Sequence, residues 1–144
     1  LGKTDIVNIL DIPDYVRVEE NAKKAMVIST AAITASGTAT LECAIENLPT
    51  IVCYKMSSIS WLIAKTLTEL KYSSIVNIIA NKEIFPEFLQ DKMNPYIMLK
   101  KLEPLLQENS LERKAMIEDL QQIKRSLGKP GVYDRIAKSI VKRL

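Results

Sequence analysis

The sequence predicts an α/β fold, a parallel sheet flanked by helices, and three features carry that prediction. Residues 31–35 and 50–54 are short runs with apolar interiors, the pattern of strands covered by helices on both faces. Between them, residues 38–46 carry a helical pattern closed by Asn47-Leu48-Pro49, because proline disfavours helix at the residue before it. Strand, helix, strand with short connections is a βαβ unit, whose crossover is right-handed in nearly all cases.

The other elements fit around that unit. Residues 5–10, β-branched and bounded by Asp11-Ile12-Pro13-Asp14, read as a strand. Residues 18–28 read as a helix with Glu19 and Glu20 in its first turn and Lys23 and Lys24 later, the order the helix dipole favours. Residues 57–70 place Ile59, Leu62, Ile63, Thr66 and Leu70 at helical spacing, with Trp61 read as packing rather than a ligand contact. Residues 75–80 are apolar except for Asn77, which requires a partner and is either a satisfied structural amide or a site residue. Residues 83–90 read as a short helix around Pro86, and residues 95–107 as a helix with proline at its start. Beyond Ser110 the chain is helical and more charged, with Met116, Leu120, Ile123 and Leu127 on one face. Gly128-Lys129-Pro130-Gly131 interrupts it, and Ile136, Ile140, Val141 and Leu144 form a second stripe. The domain reading is a partial Rossmann-like unit over residues 1–108, with residues 109–144 as helices that pack on it or on another domain.

Composition narrows the function. The 144 residues are 47% hydrophobic and 26% charged, a globular balance. A net charge of +3, spread along the chain, does not predict a nucleic-acid partner. The longest apolar run, near residues 25–35, falls far short of the ~20 residues of a membrane span. Cys43 and Cys53, with no His and no third Cys, cannot complete a zinc set and read as reduced thiols of a cytoplasmic protein. The lack of histidine excludes a Ser-His or Cys-His catalytic pair inside this chain, so any general base is Asp or Glu or lies elsewhere. No Asp-x-Asp motif is present, Asp11 and Asp14 being too widely spaced, and neither metal nor cofactor is expected. The chain begins at Leu1, and we read it as a piece of a longer protein.

The candidate site is the stretch that leaves the first strand of the βαβ unit. Ser36 or Thr38 is placed to cap the following helix, and Gly37 lets the backbone turn sharply and approach a ligand. Free amides and the positive end of the helix dipole suit a phosphate there, at the carboxyl edge where open α/β sheets bind ligands. Glu42, one turn further in, is placed to accept hydrogen bonds from ribose hydroxyls. A plain capped helix with a solvated Glu42 fits the same residues.

Ala35-Ser36-Gly37-Thr38-Ala39-Thr40-Leu41-Glu42 also resembles a segment of the lipid-A-disaccharide synthases, glycosyltransferases of the two-Rossmann-domain (GT-B) type. The likeness continues in order through Pro49, Tyr54-Lys55-Met56, Asn77, Pro86-Glu87-Phe88-Leu89-Gln90, Leu127-Gly128 and Gly131. Val76 stands where the family usually has proline. The resemblance implies an enzyme that moves 2,3-diacylglucosamine from UDP-2,3-diacylglucosamine to 2,3-diacylglucosamine 1-phosphate, forming the β-1,6 disaccharide of lipid A and releasing UDP. This chain then looks like most of the carboxyl-terminal, UDP-holding domain. The carry-over sets Ser36, Gly37 and Thr38 at the diphosphate and Glu42 at the ribose, with Asn77, Glu87 and Gln90 lining the cleft. No catalytic residue is assigned to this chain, the base being expected on an amino-terminal domain, and the isolated chain is expected to be inactive in transfer.

The acylated substrates imply a peripheral enzyme on the cytoplasmic face of the inner membrane. The Ile136 to Leu144 stripe suggests a homodimer through the terminal helices. Rival readings are another GT-B UDP-sugar enzyme, such as the peptidoglycan glycosyltransferase or a UDP-sugar epimerase, and a helix-rich interaction module in which residues 36–42 are only a cap.

Overall fold

A computed structural model describes residues 13–57, 71–128 and 131–142. The strand expected over residues 5–10, most of the helix expected over residues 57–70 with Trp61, and the end of the last stripe at Leu144 lie outside the described residues. Among the described residues three parallel strands form one sheet in the order β1 (Ala32–Thr34), β2 (Thr50–Tyr54), β3 (Glu87–Leu89). Ile33 pairs with Ile51 on one side of β2, and Val52 with Glu87 on the other. Helices flank the sheet, and the fold is α/β and Rossmann-like.

Helix α1 (Ala22–Ile28) starts later than the charge pattern suggested. Asn21 is its cap, accepting from the Lys24 amide, while the Glu19 carboxylate accepts from the Asn21 amide just outside the helix. Helix α2 (Thr38–Ile45) follows β1 and buries Thr40, Cys43 and Ala44. The apolar run at residues 75–80 is helix α3 (Ile75–Ala80), capped by Ser74 and ended by Asn81 in the left-handed region. Val76, in place of the family's proline, sits in its first turn, where proline and valine are both compatible with helix.

The short helix expected around Pro86 does not form. Residues 87–89 are β3 instead, and a 3-10 turn follows at Gln90–Lys92. Proline drives its predecessor away from helical geometry, and the Pro86 carbonyl accepts from the Val52 amide, so the segment joins the sheet edge.

Helices α4 (Pro95–Leu106) and α5 (Leu111–Ser126) match the two amphipathic patterns. Helix α5 packs on α2, α3 and α4, and its Met116, Leu120 and Ile123 enter the core formed by Ile51, Val52, Val76, Phe85 and Leu105. Helix α6 (Val132–Val141) leaves Tyr133, Ile136, Ile140 and Val141 exposed. Among the described residues no helix is long and apolar enough to cross a membrane.

Candidate nucleotide site at the carboxyl edge of the sheet

Because the strands are parallel, the segments that leave β1, β2 and β3 gather at one edge. Ser36-Gly37, Lys55-Met56 and Gln90 are those segments. Gly37 is the residue before α2 and adopts φ 156°, ψ −164°, a region essentially closed to residues with a side chain. A Cβ placed on Gly37 would meet no atom within 4 Å. Glycine is therefore required here by backbone geometry, and the space in front of it is open.

Among the described residues no side chain caps α2. The Ser36 hydroxyl instead donates to the Ser73 carbonyl at 2.7 Å, and Thr40 turns back to donate its hydroxyl to the Gly37 carbonyl at 2.7 Å. The expected cap is corrected accordingly: Ser36 is drawn to a distant turn, and Thr38 is exposed at the start of the helix. First-turn amides have no carbonyl behind them within a helix, so the donors at Thr38 and Ala39 face outward.

Asn77 is fully buried, and its amide is completely used. Its Oδ1 accepts from the Ile84 and Phe85 amides at 2.8 and 2.9 Å. Its Nδ2 donates to the Phe85 carbonyl and to Glu87 Oε1, both at 2.8 Å. An amide side chain has two donors and two acceptor positions, so none remains for a ligand.

Glu87 is the centre of the same network. Its Oε1 also accepts from the Ser74 amide at 2.9 Å, and its Oε2 accepts from the Ser73 amide and hydroxyl, each at 2.8 Å. Burial pushes its pKa up, but the amides of Ser74 and Ser73 and the Ser73 hydroxyl together outweigh burial and hold the carboxyl below its ordinary value. A carboxylate depressed in this way stabilises the fold above its unfolded pKa of about 4.3, and that contribution is lost as pH falls through the lower folded value. Urea midpoints measured from pH 6 to pH 3 should therefore fall more steeply in the wild type than in Glu87→Gln. Equal slopes in the two proteins would remove this assignment.

Gln90 clamps the segment after β2. Its side-chain amide accepts from the Met56 amide at 3.1 Å and donates to the Met56 carbonyl at 3.2 Å. It does so from a positive φ of 52°, a conformation that costs a non-glycine residue about 1 kcal/mol and persists where surrounding contacts impose it.

Glu42 lies apart from this network. It is exposed on α2, one turn beyond Thr38, and lines a cavity of about 170 Å³ with Lys23, Met26, Ile45 and Glu46. Glu87 lines a different cavity, of about 450 Å³, with Lys71, Tyr72 and Lys92 among its walls. The structure thus joins Ser36 to Glu87 through Ser73 and Asn77 to Glu87 directly, sets Gln90 on the neighbouring loop, and leaves Thr38 and Glu42 on the open face of α2. Sequence reasoning missed Ser73 and Ser74, although a serine just before an apolar helical run is a cap signal.

The family profile described as lipid-A-disaccharide synthetase matches residues 7–138. The chain belongs to that family. A lipid-A-disaccharide synthase of Sulfurihydrogenibium sp. (strain YO3AOP1) is 36% identical over 137 residues, covering 95% of this chain and 35% of that protein. One of Anaeromyxobacter sp. (strain K) is 35% identical over 124 residues, covering 86% of this chain and 32% of that protein. One of Syntrophus aciditrophicus (strain SB) is 38% identical over 113 residues, covering 78% of this chain and 29% of that protein. The chain therefore spans only 35%, 32% and 29% of the length of these lipid-A-disaccharide synthases.

Proposed function

We propose that this chain is the nucleotide-holding part of a lipid-A-disaccharide synthase of GT-B architecture. The observation that carries the reading is the Ser36-Gly37 turn: a glycine-only backbone at the carboxyl edge of a parallel sheet, open in front and followed by the outward amides of α2. In the whole enzyme the 6-hydroxyl of 2,3-diacylglucosamine 1-phosphate attacks the anomeric carbon of UDP-2,3-diacylglucosamine. The new C–O bond forms as the bond to UDP breaks, and the hydroxyl proton passes to a base on another domain. The turn's amides offset the charge growing on the departing diphosphate, and being fixed beforehand they do so without rearrangement. Thr38 stands beside the diphosphate and Glu42 accepts from the ribose hydroxyls. The acylated substrates place the whole enzyme on the cytoplasmic surface of the inner membrane.

Titrating UDP into the full-length protein tests this reading. Saturable binding is expected, weakened about tenfold in Glu42→Ala, the scale of one or two lost hydrogen bonds. The absence of any saturable signal favours the interaction-module reading. Saturable binding that Glu42→Ala leaves unchanged removes the ribose role alone.

A further inference from the structure

We propose that Glu87 is a positioning residue of the nucleotide site, acting through Ser73 on the Ser36-Gly37 turn rather than touching the nucleotide. The proposal rests on the reading of that turn as the seat of the diphosphate.

Three observations lead to it. First, the carboxylate is already saturated: the Ser73 amide, the Ser73 hydroxyl, the Ser74 amide and Asn77 Nδ2 occupy its two oxygens, which offer about four acceptor positions. Nothing remains to accept from a ribose, and a carboxylate set against a diphosphate repels it. Second, Glu87 stands on a rigid base. It is a residue of β3 paired with Val52 of the buried central strand, and Asn77 braces it from α3. Third, the turn it holds is the one that reaches the candidate site, since the Ser73 carbonyl accepts the Ser36 hydroxyl. The order of contacts runs from sheet to Glu87, to Ser73, to Ser36 and the glycine turn. The glycine turn itself has open space in front of it, and among the described residues Gly37 is tied locally, its carbonyl accepting the Thr40 amide and hydroxyl. An outside brace therefore decides where its amides point, and a preformed array of donors loses less on binding than one that must be ordered.

The test uses the full-length protein with Glu87→Gln, Ser36→Ala, the double variant and Ser73→Ala. Glutamine keeps the size of the side chain but turns one acceptor into an NH₂ group facing N–H donors. Hydrogen exchange at the Ser73 and Ser74 amides, measured without nucleotide, should quicken about tenfold in Glu87→Gln, as expected for loss of one net hydrogen bond. The KM for the UDP-linked donor should rise about fivefold with the KM for the acceptor unchanged, an order set by the same loss. A general loss of folded protein lowers kcat instead. Ser36→Ala added to Glu87→Gln should cause little further loss, because both act through Ser73.

Unchanged exchange overturns the hydrogen-bond chain, whatever UDP does. Faster exchange with an unchanged donor KM overturns the positioning role, and additive losses from the two substitutions point to direct contact and overturn it as well. Should Glu87→Gln fail to fold, Ser73→Ala, which removes one donor and keeps the rest, carries the same test with smaller shifts in the same direction. No change in that variant overturns the proposal. A wild-type protein that does not bind UDP defeats the nucleotide reading and the positioning role together, and the nucleotide-free exchange separates that outcome from an error in the hydrogen bonds.

Discussion

Asn77→Ala is expected to destabilise the protein by about 4 kcal/mol, since each buried polar group left without a partner costs about 1–3 kcal/mol. The substitution strands the amides of Ile84 and Phe85 and the carbonyl of Phe85, in a region where Phe85 is fully buried and Ile84 nearly so. It also removes one donor to Glu87. Few single substitutions reach that size, and breaking a buried hydrogen-bond network is one of the short list of causes. Urea denaturation of wild type and variant measures it. Asn77→Asp separates shape from chemistry: it keeps an acceptor for the two amides but sets a second carboxylate against Glu87 and the Phe85 carbonyl. At neutral pH it should be about as destabilising as alanine, and acid should relieve part of the defect. A loss under about 1 kcal/mol for Asn77→Ala, within the range of ordinary surface changes, would show that water satisfies these groups.

Gly37→Ala should abolish most nucleotide binding while costing the fold about 2 kcal/mol, the scale of one residue held in an unfavourable backbone region. The two effects have separate causes. No atom lies within 4 Å of the added Cβ, so no clash contributes in the unliganded protein. The fold loses through φ 156°, ψ −164° alone. Binding loses because the new methyl occupies the open space before the turn and because relief of strain swings the α2 amides away from it. Calorimetric titration of UDP into the full-length variant should show affinity reduced more than about a hundredfold, roughly 2.8 kcal/mol. Near-normal affinity would mean that no ligand approaches that glycine, and the proposed seat would have to move.

These two positions also show how differently sequence speaks about a site. Gly37 is legible because its requirement is local: a glycine between an apolar strand and a helical pattern has few structural uses. Asn77 was legible only as a question, a polar residue in an apolar run, since its partners stand at positions 84, 85 and 87. The run around it was mute about helix or strand, because short apolar segments satisfy both periods. Glu87 and Gln90 were noticed through family resemblance, with nothing in their neighbours to say that one carboxylate gathers two serines or that one amide clamps Met56. The helix expected around Pro86 failed for a related reason, since pairing with β2 outweighed the local pattern.

What the sequence determined by itself was the βαβ unit with its glycine turn, the helices α4 and α5, and membership of the lipid-A-disaccharide synthetase family. The elements follow from periodicity and caps within a dozen or so neighbouring residues, where hydrophobic pattern and backbone preference act directly, whereas the family likeness rests on motifs that recur in order from Ala35 to Gly131. Only the tertiary structure decided that residues 87–89 are a strand, that Ser36 answers to Ser73 across 37 positions, and that Gln90 answers to Met56 across 34. A hydrogen bond between distant residues leaves no periodic trace in the chain: it depends on which loops the parallel sheet delivers to the same edge, and that is settled only when the core has closed.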